Sequence, residues 1–539
     1  MIRSSGLETS LLRGVWTLLL LSAGPGLLAV DILVPADVPT ISGAISIAVD
    51  GDQILVSPGT WNEAIDLDGK EIVIRSQDGP AVTIISGTLD NPVVRINSGE
   101  TELTGLEGFT IRGGGGILLN GVRKGGGIYI NDASPRITNC IIEENQATVG
   151  AGIAIDGGNT STLVLEQVVI RMNTALDSGG GLAITGSATG ISMTECTLEQ
   201  NHANIVAGGL YCEASSIELQ SCLILDNTSD LLGGGIWLYS QSDCIFQDCE
   251  IAGNTTVVTG GGLIVSDLSR VTLDHCLVRN NIGGTSGGGM LIDSGDSGET
   301  QVIRFCVFLG NSAVSSGANL GVSVNQADIY LERCTFGPPA ANSPLNVTIN
   351  NNNPEVVVFD SCIVVGGSLQ AIQAQPGSTI AFYSCIEGLA NSGVTPIACI
   401  DEDPLFIDLA AGNLGLGVGS DCIDTGNPML PADEDGSPAD MGALGPDGVG
   451  YFRRGDADAS STANLADAVQ ILAMLFIPGS NVVGCADAAD CNDDGVLNIT
   501  DAVLLLDNLF VTGIPLPDPV NDCGGDPTPD SLDCSSVCP

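Results

Sequence analysis

Two acidic stretches near the C-terminal end carry the residue pattern of a hard-cation site. Residues 455–467 read Gly-Asp-Ala-Asp-Ala-Ser-Ser-Thr-Ala-Asn-Leu-Ala-Asp, and residues 490–501 read Asp-Cys-Asn-Asp-Asp-Gly-Val-Leu-Asn-Ile-Thr-Asp. Oxygen-bearing side chains fall at loop positions one, three, five and twelve. They are Asp456, Asp458, Ser460 and Asp467 in the first loop, and Asp490, Asn492, Asp494 and Asp501 in the second. Ca2+ takes clustered carboxylate, amide and carbonyl oxygens in this order, with a main-chain carbonyl at position seven, here Thr462 and Val496. Gly495 allows the sharp turn at position six, and Ser461 weakens the first loop there. Each loop runs into an apolar-patterned helix, beginning Leu465-Ala466-Asp467 and Ile499-Thr500-Asp501, at one constant offset.

Two further groups are candidates for chemistry. Asp274, Arg304 and Glu332 recur at one repeat position, and Asp248, His275 and Arg333 at the next. Paired carboxylates there suit glycoside acid/base chemistry, whereas alternating signs up a column suit a salt-bridge ladder. A second column, on the strand after each glycine cluster, holds Tyr129, Tyr211 and Trp237 among smaller apolar residues. Exposed in a row, these rings would bind a sugar chain; covered by a loop or a second subunit, they would be structural.

The elements that must position these groups follow from a repeat. Asn145, Asn173, Asn201, Asn227, Asn254, Asn281 and Asn311 recur every 26 to 30 residues, a solenoid period. Five residues before most of them stands a cysteine: Cys140, Cys196, Cys222, Cys249, Cys276 and Cys306, with Val168 the one break, and the column runs on to Cys334, Cys362 and Cys385. Two residues after the cysteines lie Ile142, Leu198, Ile224, Ile251, Val278, Phe308, Phe336 and Val364, a spacing that puts both on one face of a strand. A glycine cluster then opens another alternating strand, as at Ile236/Leu238. Such units bury their apolar face only by stacking, with parallel backbone ladders. The fold predicted is an all-β parallel β-helix with a stacked asparagine ladder and free core thiols, followed by a small α-helical calcium-binding domain.

The ends of the repeat resemble a known superfamily. Gly51-Asp52-Gln53-Ile54-Leu55-Val56 and Pro58-Gly59-Thr60-Trp61-Asn62-Glu63, preceded by a short helix, resemble the N-terminal cap and first coil of pectin-lyase-like right-handed parallel β-helices. Asp403-Pro404-Leu405-Phe406, Asp424-Thr425-Gly426 and Asp440-Met441-Gly442-Ala443 resemble the closing segment of secreted bacterial β-helix proteins. The duplicated loop-helix units resemble type I dockerin modules, which implies calcium and a cohesin-like protein partner. Contact positions ten and eleven are Leu465/Ala466 and Ile499/Thr500 instead of Ser/Thr pairs, and neither helix carries Lys or Arg, which weakens that partner assignment. The division expected is a leader over 1–30, the solenoid over 31–450 (cap about 31–60, closing segment about 400–450), the dockerin-like domain over 451–520 and a Cys-rich tail over 521–539.

Residues 1–30 read as a secretory signal, with Arg3 and Arg13 before an apolar run that Gly24-Pro25-Gly26 interrupts; an uncleaved anchor is the alternative. Export to the cell surface or medium is expected, with no membrane span once the leader is removed. In that setting Cys485, Cys491, Cys523, Cys534 and Cys538 are expected to form disulfides, with Cys399 or Cys422 as a further partner. A formal charge of −48, from 16 Lys+Arg against 64 Asp+Glu, excludes nucleic acid as a partner and disfavours polyanionic substrates. Polygalacturonase and pectin-esterase motifs are absent, and Leu273-Asp274-His275-Cys276 stands alone of a pectate-lyase pattern. Three readings remain: a solenoid that binds polysaccharide or surface glycan, a glycoside hydrolase acting on a neutral polysaccharide, and a structural or adhesive surface protein.

Overall fold

The computed structural model describes residues 29–157, 163–293, 300–323, 328–341, 343–350, 357–366, 370–409, 413–417, 419–433, 437–443, 453–457, 463–476, 486–511 and 515–517. The leader, the tail over 521–539, Cys485, and the loop residues Asp458, Ser460 and Thr462 lie outside them.

The chain winds as a parallel β-helix. One coil runs through Arg136–Thr138, Ile141–Glu143, Gln146–Val149 and Ile153–Asp156, and each strand pairs in parallel with its counterpart one coil on. We number the resulting sheets one to four in that order. Among the described residues they hold fifteen, thirteen, nine and twelve strands. Sheet three is the narrowest, with strands as short as His202–Ala203 and Thr228–Ser229.

The core follows from the two-residue alternation. Ile142, Ile170, Leu198, Ile224, Ile251, Val278, Phe308 and Phe336 stack in register on sheet two and are wholly buried. Burying an aliphatic or aromatic side chain of this size contributes roughly 1.5–3 kcal/mol. The corner between sheets one and two is made by a single left-handed residue before each cysteine, among them Asp248 (φ 53°), His275 (φ 51°) and Arg333 (φ 50°). The cysteines themselves are buried free thiols. From Cys140 to Cys362 each column cysteine donates to a carbonyl of its own corner, as Cys249 does to Gln247 O at 3.2 Å. Cys385, expected in the column, is displaced by one residue: it pairs with Ile363 and donates to Glu402 O, while Ser384 takes the column position. Cys491, expected in a disulfide, is also a buried free thiol, as are Cys399 (half-buried) and Cys422.

The cap motif has a physical explanation. Helix α1 (Ile41–Ile47) covers the open end of the first coil. Glu63 of the Pro58-to-Glu63 motif accepts from the amides of Ile41 and Ser42 at 2.9 Å each. Lys70 donates to the Ser46 and Ala48 carbonyls at the other end. Opposite charges thus meet the two ends of the helix dipole. Asp52 accepts from the Val49 and Val30 amides, which holds its carboxyl below the usual range.

The closing segment docks sideways on the corner between sheets one and two. Asn427 donates to Ser361 Oγ (2.8 Å) and Asp360 Oδ2 (3.0 Å), Gly442 donates to Ser361 O (2.7 Å), and Asp433 pairs with Arg333. Asp440, 1% exposed, accepts from Asp424 N on one oxygen, and its Oδ2 has no partner among the described residues. Burial, with Asp433 and Asp424 nearby, pushes it up to about 6. The folded chain therefore binds this proton more tightly than the unfolded chain, so stability falls as pH rises from about 3.8 to about 6 and stays lower above. The loss is at most about 3 kcal/mol. Asp440→Asn is expected to remove this slope, raising the thermal midpoint at pH 7 but not at pH 4. An unchanged slope in the variant would reject the assignment.

Candidate functional site

A concavity that could take a ligand is not on the aromatic column as a whole. It is a cleft of about 500 Å³ at the N-terminal end of sheet four, within the range of small-ligand sites, about 300–1,000 Å³. One wall is a hairpin of Ile117–Leu119 and Val122–Lys124. Its two-residue turn, Asn120-Gly121, has φ of 50° and 87°, the paired positive values that Asn-Gly supplies in a tight hairpin. Ile117, Leu119 and Val122 make the apolar side of the cleft and Tyr129 its floor. Asn97, Asn120, Asn131 and Asp156 supply amide and carboxylate groups, and Lys124 bonds Asp156 at 2.7 Å. Thr185 Oγ1 donates to the other Asp156 oxygen at 3.0 Å. Burial, then the charges of Asp156 and Asp132, push the Tyr129 phenol up to about 12, so it stays a neutral donor.

The aromatic column is largely covered, Tyr129 included, which corrects the expectation of an exposed row. Tyr129 is 3% and Tyr211 8% exposed, and Trp237 is half-buried. Tyr211 and Trp237 do meet, with ring centroids 5.7 Å apart, and Tyr239 lies 5.1 Å from Trp237. The Trp237 indole donates to Ser266 Oγ at 2.7 Å. The cover is the segment before each strand. Gly233 (φ 62°) turns the chain back so closely that a Cβ there would sit 3.2 Å from Trp237 Cβ. Val206 and Leu232 then pack on the rings. Spacing alone showed that these side chains point out of the core; it did not show the segment carrying Val206 and Leu232 folding over them. The Asn120-Gly121 hairpin was also missed, although Asn-Gly directly after the apolar Ile117-Leu118-Leu119 run is its sequence signal.

The charged columns are brought together in the register expected. Asp274, Arg304, Glu332 and Asp360 pair in succession. Asp274 binds Arg304 through Nη2 at 2.6 Å and Nε at 2.9 Å, and His275 Nδ1 at 2.8 Å. His275 stacks on Phe305 at 4.6 Å, and Arg333 lies over the same ring. Burial pushes Asp248 up, against the pull of His275. Asp274 is held down by His275 and Arg304 although burial opposes them. His275 is raised because Asp274 and Asp248 outweigh its burial. The result is a half-buried imidazole whose proton is held more tightly, beside two carboxylates whose acidities are pushed apart. Asp274→Asn is expected to lower the His275 pKa, read by NMR titration of its ring protons against those of His202. No shift would mean that the pair does not set the ring's charge.

In the C-terminal module, α2 (Leu465–Phe476) packs on α4 (Ile499–Phe510), with α3 (Ala486–Ala489) between them in sequence. The duplicated sequence folds as a duplicate. Asn464 and Asn498 precede the two helices, and Asp467 and Asp501 accept from their amides at 2.7 and 2.8 Å. Ala468 and Ile471 of α2 are buried as Ala502 and Leu505 of α4 are. Asp456, Asp467, Asp490 and Asp501 are 4% exposed or less. Among the described residues no three His, Cys, Asp or Glu side chains converge on one point; the second loop offers a mixed set of carboxylate, amide and carbonyl oxygens. Its buried Asp490 and Asp501 carboxylates lie side by side, and burial with this proximity pushes Asp501 up to about 6. Two buried acids held together fit a site for a hard cation.

Residues 126–307, the central coils, match the family model described as a right handed beta helix region. No curated protein matches the chain. Among solved structures it is similar to the pectate lyase Pel9A, at 11% identity over 75% of this chain and 90% of that one, with a TM-score of 0.37. It is also similar to the catalytic domain of a GH87 alpha-1,3-glucanase in complex with tetrasaccharides, at 15% identity over 69% of each chain, with a TM-score of 0.37. A polygalacturonase from Erwinia carotovora is 12% identical over 70% of this chain and 95% of that one, with a TM-score of 0.30. The solenoid is a right-handed parallel β-helix.

Proposed function

We propose that this chain is an exported or surface-held solenoid that binds a neutral polysaccharide or surface glycan in the Tyr129 cleft, with a calcium-organised, dockerin-like module behind it. The observation that carries the binding reading is the composition of the cleft. Its amides from Asn97, Asn120 and Asn131, neutral phenol and apolar wall match a sugar's alternation of hydroxyl edge and C–H face. The lysine in it is already engaged by Asp156, so anionic sugars gain little. Asn131→Ala and Asn97→Ala are expected to weaken retention on an immobilised glycan panel at least tenfold, whereas Trp237→Ala, remote from the cleft, leaves it unchanged. Equal loss in all three variants, or none, would reject the cleft as the site.

A second reading, a glycoside hydrolase, draws on Asp248 and Asp274, whose acidities are pushed in opposite directions as an acid and a base require. Release of reducing ends by the chain, abolished in Asp248→Asn, would favour it over binding alone.

In the module, Asp490, Asn492, Asp494, the Val496 carbonyl and Asp501 would hold one Ca2+, and Asp456, Asp458, Ser460, the Thr462 carbonyl and Asp467 a second. The ion supplies charge neutralisation and ties each loop to its helix. A cohesin-like partner would meet the matching exposed positions Leu465 and Ile499, 52% and 50% exposed, and Val469 and Val503, both 57% exposed. Such a face is apolar and needs no Lys or Arg.

A further inference from the structure

Cys212 and Cys244 stand apart from the thiol column. Cys212 lies on Leu210–Glu213 of sheet four, and Cys244 on Asp243–Gln247 of sheet one, one coil later. Cys244 stacks in register on Ile217, just past the corner that follows Cys212, so the two side chains converge from different sheets. Their sulfurs are 3.6 Å apart, and both residues are wholly buried.

The column thiols are placed differently. They are in-register neighbours of one stack, so their Cβ atoms keep the inter-strand spacing of about 4.8 Å, beyond the roughly 3.5–4.5 Å that a disulfide prefers. Each also donates to main-chain carbonyls, as Cys276 does to Asp274 O and Phe246 O at 3.3 and 3.4 Å. Column thiols also meet the sulfurs of the coils above and below, whereas Cys244 directs its thiol at the single Cys212 sulfur across two sheets. Closing that pair to a bond needs a movement of roughly 1.5 Å, given an S–S length of about 2.05 Å.

We propose that Cys212 and Cys244 form a disulfide that staples sheet four to sheet one when the chain folds in the presence of a small-molecule disulfide oxidant. With oxidised glutathione, the Cys212 thiolate attacks one glutathione sulfur and expels a glutathione thiolate. The Cys244 thiolate then attacks the Cys212 sulfur of the mixed disulfide, forms the Sγ–Sγ bond and expels the second glutathione thiolate. The pair loses two protons and two electrons, and the oxidant is reduced to two glutathione molecules. The bond closes a loop across 32 residues that contains the Trp237 and Tyr239 rings.

The sulfurs are shielded from reagents in the folded chain, so the test is made during refolding. The reduced, unfolded full-length chain is refolded in a mixed glutathione buffer, its remaining thiols are alkylated, and its peptides are mapped by mass spectrometry. The expected product links the Cys212 and Cys244 peptides and is two hydrogens lighter, with Cys222, Cys249 and Cys276 alkylated once the product is denatured. Alkylation of both Cys212 and Cys244 in a natively folded product, or linkage within the column, would overturn the proposal. A second readout is the thermal midpoint of the refolded chain with and without reductant. Reductant is expected to lower it in the native chain and to leave it unchanged in the C212S/C244S variant. No reductant-dependent shift in the native chain would also overturn the proposal.

Discussion

Asn254→Ala is expected to destabilise the central coils by roughly 3–5 kcal/mol, a large effect for one neutral substitution. Asn254 is wholly buried and uses its entire amide. Its Oδ1 accepts from Asn227 N and Nδ2, both at 3.0 Å. Its Nδ2 donates to Ile224 O at 2.8 Å and to Asn281 Oδ1 at 3.0 Å. Alanine leaves the Asn227 amide with no acceptor and strips one bond from each of three other groups, and a buried orphan costs about 1–3 kcal/mol. Asn254→Asp should fare little better, because the carboxylate either buries a charge or surrenders the two donors. Coils contact only their neighbours, so the damage should stay local. In a urea titration Trp237, one coil away, should report the loss at lower denaturant than Trp61 in the first coil. A cost below about 1 kcal/mol would mean that water enters and replaces the amide, and that the ladder is dispensable.

What was legible in the sequence was the part set by exact repetition. The cysteine, asparagine and core columns fixed the coil register, because a one-residue slip would send every apolar side chain out of the core. The same counting placed Asp274 beside Arg304. It did not show that Asp274 would hold His275 as well as Arg304, since that depends on side-chain rotation at left-handed corners. Sheet three was illegible because strands of two residues carry no alternation to read. The segments that follow its short strands bring Val206 and Leu232 over Tyr211 and Trp237 and turn an outward column into a satellite core. The lateral docking of the closing segment was hidden for another reason. Arg333 and Asp433 are 100 residues apart in sequence, and no periodicity links them. The cleft lay between these extremes: its hairpin turn was written as Asn120-Gly121, but the wall it forms depends on which sheet the hairpin leans against.

Removing calcium from the full-length chain is expected to unfold α2 and α4 while the solenoid stays intact. The buried apolar set of the module is thin: Ala457, Ala468, Ile471, Ala489, Cys491, Ala502, Leu505 and Leu516. Four of the eight are alanines, which contribute little transfer energy. Against this stand four buried carboxylates, Asp456, Asp467, Asp490 and Asp501. The buried Arg454 binds Asp493 at 2.8 Å and the Asp490 carbonyl at 2.7 Å. Carboxylates buried this close together, as Asp490 and Asp501 are, disfavour each other's charged form, a cost that a bound cation offsets. Metal binding and folding should therefore be one transition. Titrating Ca2+ into the EDTA-treated chain should restore helical ellipticity, and magnesium at equal concentration should not. Asp501→Asn, which keeps the shape but halves the charge of the buried pair, should weaken the calcium response of the second loop at least tenfold. If the helical signal were the same in EDTA and in calcium, the module would be folding on its own alanine-rich core, and the four acids would have to be held by protons instead of a metal.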